Sequence, residues 1–184
     1  MIAYLLGLGA GGALLWWYYE QTIDNINSAE GMDSDVLDTS TAAAVAGELA
    51  SAIGWPYWYG QGTPATPWSQ GSRGVDCSGF VQMALVRLGR LASSAPDRSA
   101  AGLAAVSDPI DVGLQEPGDM AYYPGHVAIV VGDPDVDGHS AVMSADGHAT
   151  TTGNVAGECV KVHGTARYRG DFVCYMRLKP GVGL

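Results

Sequence analysis

The chain has 184 residues, a formal net charge of −10, 47% hydrophobic and only 15% charged side chains, so it holds one domain with an addition rather than two full domains of about 100–200 residues. Its apolar content excludes disorder along the whole length. Its acidic balance excludes a duplex-DNA binder, which needs clustered Lys and Arg to displace phosphate counterions, and no nucleic-acid partner is expected.

The front of the chain carries the asymmetry. Residues 1–72 hold Glu20, Asp24, Glu30, Asp33, Asp35, Asp38 and Glu48 but no Lys or Arg, and Arg73 is the first basic residue. Residues 2–18 are an uncharged run closed by Trp16, Trp17, Tyr18 and Tyr19 before Glu20. As a helix this run would extend about 26 Å, the short end of a membrane span, with an aromatic belt at its end. A transmembrane or anchoring helix is therefore expected over 1–19, with the lipid bilayer as its partner. The competing expectation is a helix docked among other subunits, because Ala3, Gly7 and Gly11 give it a smooth face at four-residue spacing. A cleaved leader fits less well, since a basic start and small cleavage-site residues are missing. Residues 20–38 read as an acidic linker, and residues 39–180 as the main domain.

In that domain Thr39 or Ser40 can cap a helix that runs to about 53, where Val45, Leu49 and Ile53 recur every four residues and Gly54 and Pro56 end it. Residues 61–74 form a loop rich in Gly, Pro, Ser and Thr, long enough to border a site. Helical period returns over 77–91. After Pro117-Gly118 the pattern changes to strands at 120–123, 126–131, 140–145, 160–163 and 172–178, separated by Gly, Pro and Asp turns. Helices first and strands second, without alternating βαβ units, predict an α+β fold with helices packed on an antiparallel sheet.

Cys77, Cys159 and Cys174 show no CxxC pair and no His at zinc-finger spacing, so neither a metal nor a cofactor is expected. Cys77 stands where the loop becomes a helix, in Gly74-Val75-Asp76-Cys77-Ser78-Gly79-Phe80. Asp76 suits the N-cap, and the helix dipole would favour a thiolate at Cys77, lowering its pKa as a nucleophile requires. A buried, inert thiol is the competing reading. His126 opens the apolar run His-Val-Ala-Ile-Val-Val-Gly directly after Pro124-Gly125, so a strand end would present its imidazole. Cys with His as base is the minimal activated-thiol unit, usually completed by a third polar group. His139 and His163 read as surface strand or turn residues. Cys159 and Cys174 fit either a disulfide outside the cytoplasm or simple packing.

Pro56-Tyr57-Trp58-Tyr59-Gly60, Asp76-Cys77-Ser78-Gly79-Phe80-Val81-Gln82, Pro117-Gly118-Asp119-Met120 and the run from His126 to Gly132 resemble, in order and spacing, the motifs of the NlpC/P60 cysteine peptidases. The resemblance covers about residues 40–178. Pro96-Asp97-Arg98-Ser99 also resembles the family's Pro-Arg-(Thr/Ser) element, with Asp97 inserted. The resemblance implies a papain-like fold and cleavage of peptidoglycan stem peptides, commonly between γ-D-glutamate and the diamino acid; the related CHAP amidase/peptidases share the layout. It implies Cys77 as nucleophile, His126 as general base, and a substrate cleft lined by Tyr57, Asp76 and Ser78. The third position departs from the family. NlpC/P60 members place His, Asn or Gln where this chain has Ser144, whereas Asp146-Gly147-His148 resembles the acidic or amide turn of the CHAP enzymes. Ser144, Asp146 and His148 alternate by two and would share a strand face. Asp146 is the preferred third residue, because a carboxylate both orients the imidazole and supports the imidazolium.

An anchored wall hydrolase is the leading expectation, located at a cell envelope or in a virion, as suits a bacteriophage lysis or wall-penetration protein or a bacterial envelope enzyme. The competing expectations are a virion tail or membrane component carrying a weakly active peptidase fold, and an inactive module that only grips peptidoglycan.

Overall fold

The computed structural model describes residues 41–148, 151, 153 and 155–182. The anchoring helix expected over 1–19, the acidic linker over 20–38 and the caps expected at Thr39 and Ser40 lie outside the described residues. Among those that are described, no helix is long and apolar enough to cross a membrane.

The first helix, α1 (Ala42–Leu49), is capped by Thr41, whose side chain accepts from the Ala44 N–H at 3.2 Å. That cap satisfies one of the N–H groups that the first helical turn leaves without a partner. Val45 and Leu49 are fully buried along one face. The helix is shorter than its periodicity implied: the chain tightens into a 3₁₀ turn over Ala50–Ala52, and Ile53 is left exposed. A second 3₁₀ turn covers Trp68–Arg73 within the long loop. Helix α2 (Cys77–Arg87) is the hydrophobic centre of the helical layer, with Phe80, Val81 and Ala84 wholly buried. It ends four residues before the expected limit, where Gly89 takes a positive φ of 69°. A short α3 (Ala100–Ala105), capped by Ser99, follows.

Six strands, β1 (Ser107–Ile110), β2 (Met120–Tyr123), β3 (His126–Pro134), β4 (Ser140–Ala145), β5 (Val160–His163) and β6 (Cys174–Leu178), form one antiparallel sheet. Their order is β1-β6-β2-β3-β4-β5. The five expected strands are present, and β1 is an addition. Its Pro109 cannot donate to a ladder, which hides the segment from a pattern search and fits its place on the edge beside β6. The α+β class, with helices against an antiparallel sheet, is as expected.

Strand alternation divides the interior in two. Val127, Ile129 and Val131 of β3, Met143 and Ala145 of β4 and Val160 of β5 join α1 and α2 in the larger core. Ala128, Val130 and Val142 join Tyr123, Tyr175 and Ala166 in a smaller core on the other face, against which Tyr168 and Phe172 pack. Both faces of β3 are thus covered, so its residues 126–132 are buried without a break.

The same topology excludes a Cys159–Cys174 disulfide. Cys174 begins β6 and Cys159 immediately precedes β5, four strand positions away in the sheet order, or about 19 Å at the usual strand spacing. A disulfide spans under 7 Å between Cα atoms, and Cys77, Cys159 and Cys174 are all free thiols.

Candidate active site

Cys77 is the first residue of α2, and its placement is fixed by Asp76. The Asp76 carboxylate accepts from the Gly79 N–H at 2.7 Å and the Ser78 hydroxyl at 3.1 Å through one oxygen, and from the Gly60 N–H at 2.9 Å through the other. One side chain therefore caps the helix and ties it to the Tyr57–Gly60 segment. Gly79 permits a further close approach, since a Cβ there would lie 2.2 Å from the Gln61 carbonyl oxygen. A larger residue would push the helix start away from the loop.

His126, the first residue of β3, stands beside a Gly125 with φ of 73°. Cys77 and His126 line a single cleft of about 750 Å³ together with Tyr57, Asp76, Ser78 and the cationic Arg98 and Arg169. The loop carrying Arg98 is held by Gln82, a buried side chain that donates to the Asp97 carboxylate at 3.0 Å and accepts from the Arg98 N–H at 2.8 Å. Tyr57 is almost fully buried and packs on Gly147, where a Cβ would fall 2.2 Å from its ring.

Of the three candidates for the third position, Ser144 and Asp146 meet on one side as expected, and His148 departs from them. β4 ends at Ala145. Ser144 is fully buried, Asp146 turns inward beyond the strand end, and His148 extends to the cleft rim, where its side chain is 84% exposed and 3.7 Å from Glu158. Asp146 Oδ1 lies 3.9 Å from His126 Nε2, outside direct hydrogen-bond range. The Tyr168 hydroxyl, 2.8 Å from His126 Nε2, is also 3.0 Å from Ser144 Oγ and 3.4 Å from Asp146 Oδ1. Ser144 Oγ donates to Asp146 Oδ1 at 2.5 Å. On the far side His163 Nε2 approaches Asp146 Oδ2 to 2.8 Å, without the alignment of a full hydrogen bond. The His163 ring stacks on Tyr168 at 3.5 Å between centroids and 7° between planes.

Tyr168 and His163 were not singled out by the sequence. His163 is three-quarters or more withdrawn from solvent and belongs to this cluster, and His139 is buried with its Nδ1 3.2 Å from the Tyr175 hydroxyl. Neither is the surface residue expected. Strand pairing brings His163 to the site: Ser144 faces Lys161 and Val142 faces His163 across β4 and β5, so His163 shares the face of Ser144. Tyr168 lies in a 3₁₀ turn (Ala166–Tyr168) with no periodicity to mark it.

Electrostatics at the pair run opposite to the helix-dipole expectation. Burial, reinforced by the neighbouring Asp76 carboxylate, pushes the Cys77 thiol up to about 11, although the N–H groups of Val127, Ser78 and Cys77 pull the other way. Desolvation of a thiolate at this depth outweighs the partial charge of the helix end. Burial, aided by Arg169, brings His126 down to about 4 against the attraction of Asp146 and Asp171. At Asp146 burial opposes ionisation, yet the His163 and Ser144 contacts prevail and hold its carboxyl below the usual range. The free site thus rests as thiol, neutral imidazole and carboxylate. Among the described residues no cluster of His, Cys, Asp and Glu has the arrangement of a metal site.

Comparison with known proteins agrees with this layout. The chain resembles the P60 domain of an antigen from Mycobacterium avium subspecies paratuberculosis, at 22% identity and a TM-score of 0.51 over 73% of this chain and 90% of that one. It also resembles a lipoprotein-like NLP/P60 protein of Staphylococcus aureus, at 18% identity and a TM-score of 0.50 over 80% of this chain and 45% of the other. No curated protein matches the sequence. Both likenesses concern the fold. The model of the NlpC/P60 family matches residues 54–167, which span α2, the cleft lining except Arg169 and five of the six strands, and the chain belongs to that family.

Proposed function

We propose that this protein is a peptidoglycan hydrolase that cleaves stem peptides by thiol catalysis, at the bond between D-glutamate and the diamino acid. Family membership points to peptidoglycan as the substrate. The observation that carries the mechanism is the placement of Cys77 and His126 on one cleft, the first at a helix start and the second at a strand start, each held by its own turn. A cleft lined by Asp76, Arg98 and Arg169 offers both signs of charge to a peptide that carries both.

The chemistry balances on these residues. The Cys77 thiol proton passes to a ring nitrogen of His126 as sulfur attacks the scissile carbonyl carbon, giving a tetrahedral adduct. Collapse breaks the C–N bond, and the imidazolium returns the proton to the leaving amine. Water, deprotonated by His126, then hydrolyses the thioester. The two shifted pKa values imply that proton transfer and attack occur together on bound substrate, since the resting site holds little thiolate. Asp146 supplies negative charge behind the imidazolium. Tyr57, Asp76 and Ser78 shape the substrate side, and residues 2–18 tether the enzyme to a bilayer or to other subunits, at a cell envelope or in a virion.

Digestion of purified sacculi followed by mass spectrometry of the released fragments tests the reading. Fragments ending at D-glutamate are expected from the full chain and none from Cys77→Ala. Release of glycan strands freed of whole stem peptides would instead identify an amidase, and equal digestion by Cys77→Ala would refute thiol catalysis.

A further inference from the structure

We propose that Tyr168 is the positioning residue of this site: its hydroxyl, rather than a carboxylate or amide in direct contact, holds the general base in its working tautomer. The inference rests on the proposed role of His126.

The Tyr168 oxygen is 2.8 Å from His126 Nε2, whereas the nearest Asp146 oxygen is 3.9 Å away. The direction of the chain of hydrogen bonds follows from its far end. The Asp146 carboxylate only accepts. Ser144 donates to it, so the Ser144 proton is committed. On the side away from His126 the Tyr168 proton has two acceptors, Ser144 Oγ at 3.0 Å and Asp146 Oδ1 at 3.4 Å. With its proton directed there, the Tyr168 oxygen accepts from His126, which places the single ring proton of the neutral imidazole on Nε2. Nδ1 is left as the acceptor for the thiol proton. On proton transfer the same hydroxyl stays between the imidazolium and Asp146 and conducts the carboxylate's support across a gap that excludes a direct bond.

The surroundings hold the phenol in place. Its ring is stacked on His163 and meets Tyr123 edge-on at 5.7 Å. Burial raises its pKa, so the hydroxyl keeps its proton through the neutral range. The titratable and charged groups facing His126 are Tyr123 of β2, Asp146 after β4, His163 of β5, and Tyr168, Arg169 and Asp171 of the segment before β6. Cys77 faces it across the cleft.

The test is the tautomer of His126, read by long-range proton–nitrogen NMR on the full chain labelled at histidine nitrogen, with the signal assigned through His126→Gln. The Nε2-protonated form is expected at neutral pH in the unaltered protein. A predominantly Nδ1-protonated form there would overturn the proposal, whatever any variant does. Tyr168→Phe keeps both ring contacts and removes only the hydroxyl. It is expected to give a tautomer mixture and to lower kcat on a soluble stem peptide by about 10²-fold, the scale of general-base contributions, with KM changed by less than about twofold. An unchanged tautomer and kcat in that variant would overturn the proposal. If the unaltered protein does not cleave stem peptides, the functional reading fails while the tautomer still judges Tyr168.

Discussion

At the level of single residues, the site couples two buried neutral groups to one partly buried anion, and its pH dependence follows from their signs. His126 has a folded pKa of about 4, below its ordinary value of 6.5. Between those values the unfolded chain binds a proton that the folded chain does not, so stability rises with pH across that window and is lost as pH falls from about 6.5 towards 4. Asp146, with its pKa held low, adds in the same direction at the lower end of the acid range. The thiol of Cys77 is raised from 9 to about 11, so in that window the unfolded chain releases a proton the folded chain keeps, and stability falls as pH rises. The melting temperature is therefore expected to form a plateau between about 6.5 and 9 and to drop on both sides. In thermal melts, His126→Gln should flatten the acid limb and Cys77→Ala the alkaline one; unchanged limbs would contradict the assigned shifts. The same thiol should alkylate with iodoacetamide at a rate that climbs steadily above pH 9, measured as the difference between the unaltered protein and Cys77→Ala. A rate already level at neutral pH would restore the dipole-activated thiolate that the position of Cys77 suggested from sequence. Position in a helix was legible there, but depth of burial was not.

Among the elements, the turn Pro117-Gly118-Asp119 has a role distinct from chemistry. Asp119 is 1% exposed and accepts two bonds from the Arg177 guanidinium of β6, at 2.8 and 2.7 Å, and one from the Glu116 N–H at 2.7 Å. Arg90 donates to the Pro117 carbonyl at 2.7 Å. Together these contacts clamp the end of the helical layer and β6 to the start of β2. Arg177→Met leaves the buried Asp119 carboxylate with the Glu116 N–H and the Arg90 guanidinium 3.9 Å away and, because Arg177 itself is 45% exposed, is expected to cost about 2 kcal/mol in urea unfolding, the scale of a buried group losing hydrogen-bond partners. A change under about 1 kcal/mol would show that solvent replaces the guanidinium. Gly79→Ala should act at the other end of the helical layer, because its Cβ would collide with the Gln61 carbonyl. It is expected to lower both the melting temperature and activity, and an unaffected enzyme would mean that the loop shifts freely. Five strands and the start of α2 could be read from alternation, turn residues and a capping Asp, all local signals. β1, α3 and the Tyr168 turn could not, since a proline-bearing edge strand, a six-residue Ala-rich helix and a 3₁₀ turn carry almost no periodicity. Cys77 and His126 were found because each sits at an element boundary. His163 and Tyr168 reach the site through strand pairing and a turn far along the chain, which only tertiary structure brings together.

For the whole molecule, the question is whether the domain needs the front of the chain to fold and act. The described residues contain a core that joins α1 and α2 to β3, β4 and β5, a second core beneath the Tyr168 turn, and the cleft with Cys77 and His126. Every residue of the proposed chemistry lies between Tyr57 and Tyr168, within or one residue beyond the span matched to the family. Residues 2–18, by contrast, are uncharged and end in an aromatic cluster, a composition that favours a bilayer or a partner's apolar surface. A chain beginning at residue 39 is accordingly expected to be soluble without detergent, to unfold in one cooperative transition, and to keep kcat/KM on a soluble stem peptide within about twofold of the full chain. The full chain should sediment with lipid vesicles and need detergent for extraction. On intact sacculi the two forms should differ only through localisation, so tethering the truncated enzyme to vesicles by an unrelated membrane helix would restore the behaviour of the full chain. Loss of the folding transition on truncation would make the front of the chain part of the domain. A full chain that stays in the supernatant beside vesicles would assign residues 2–18 to contact with other subunits instead of lipid.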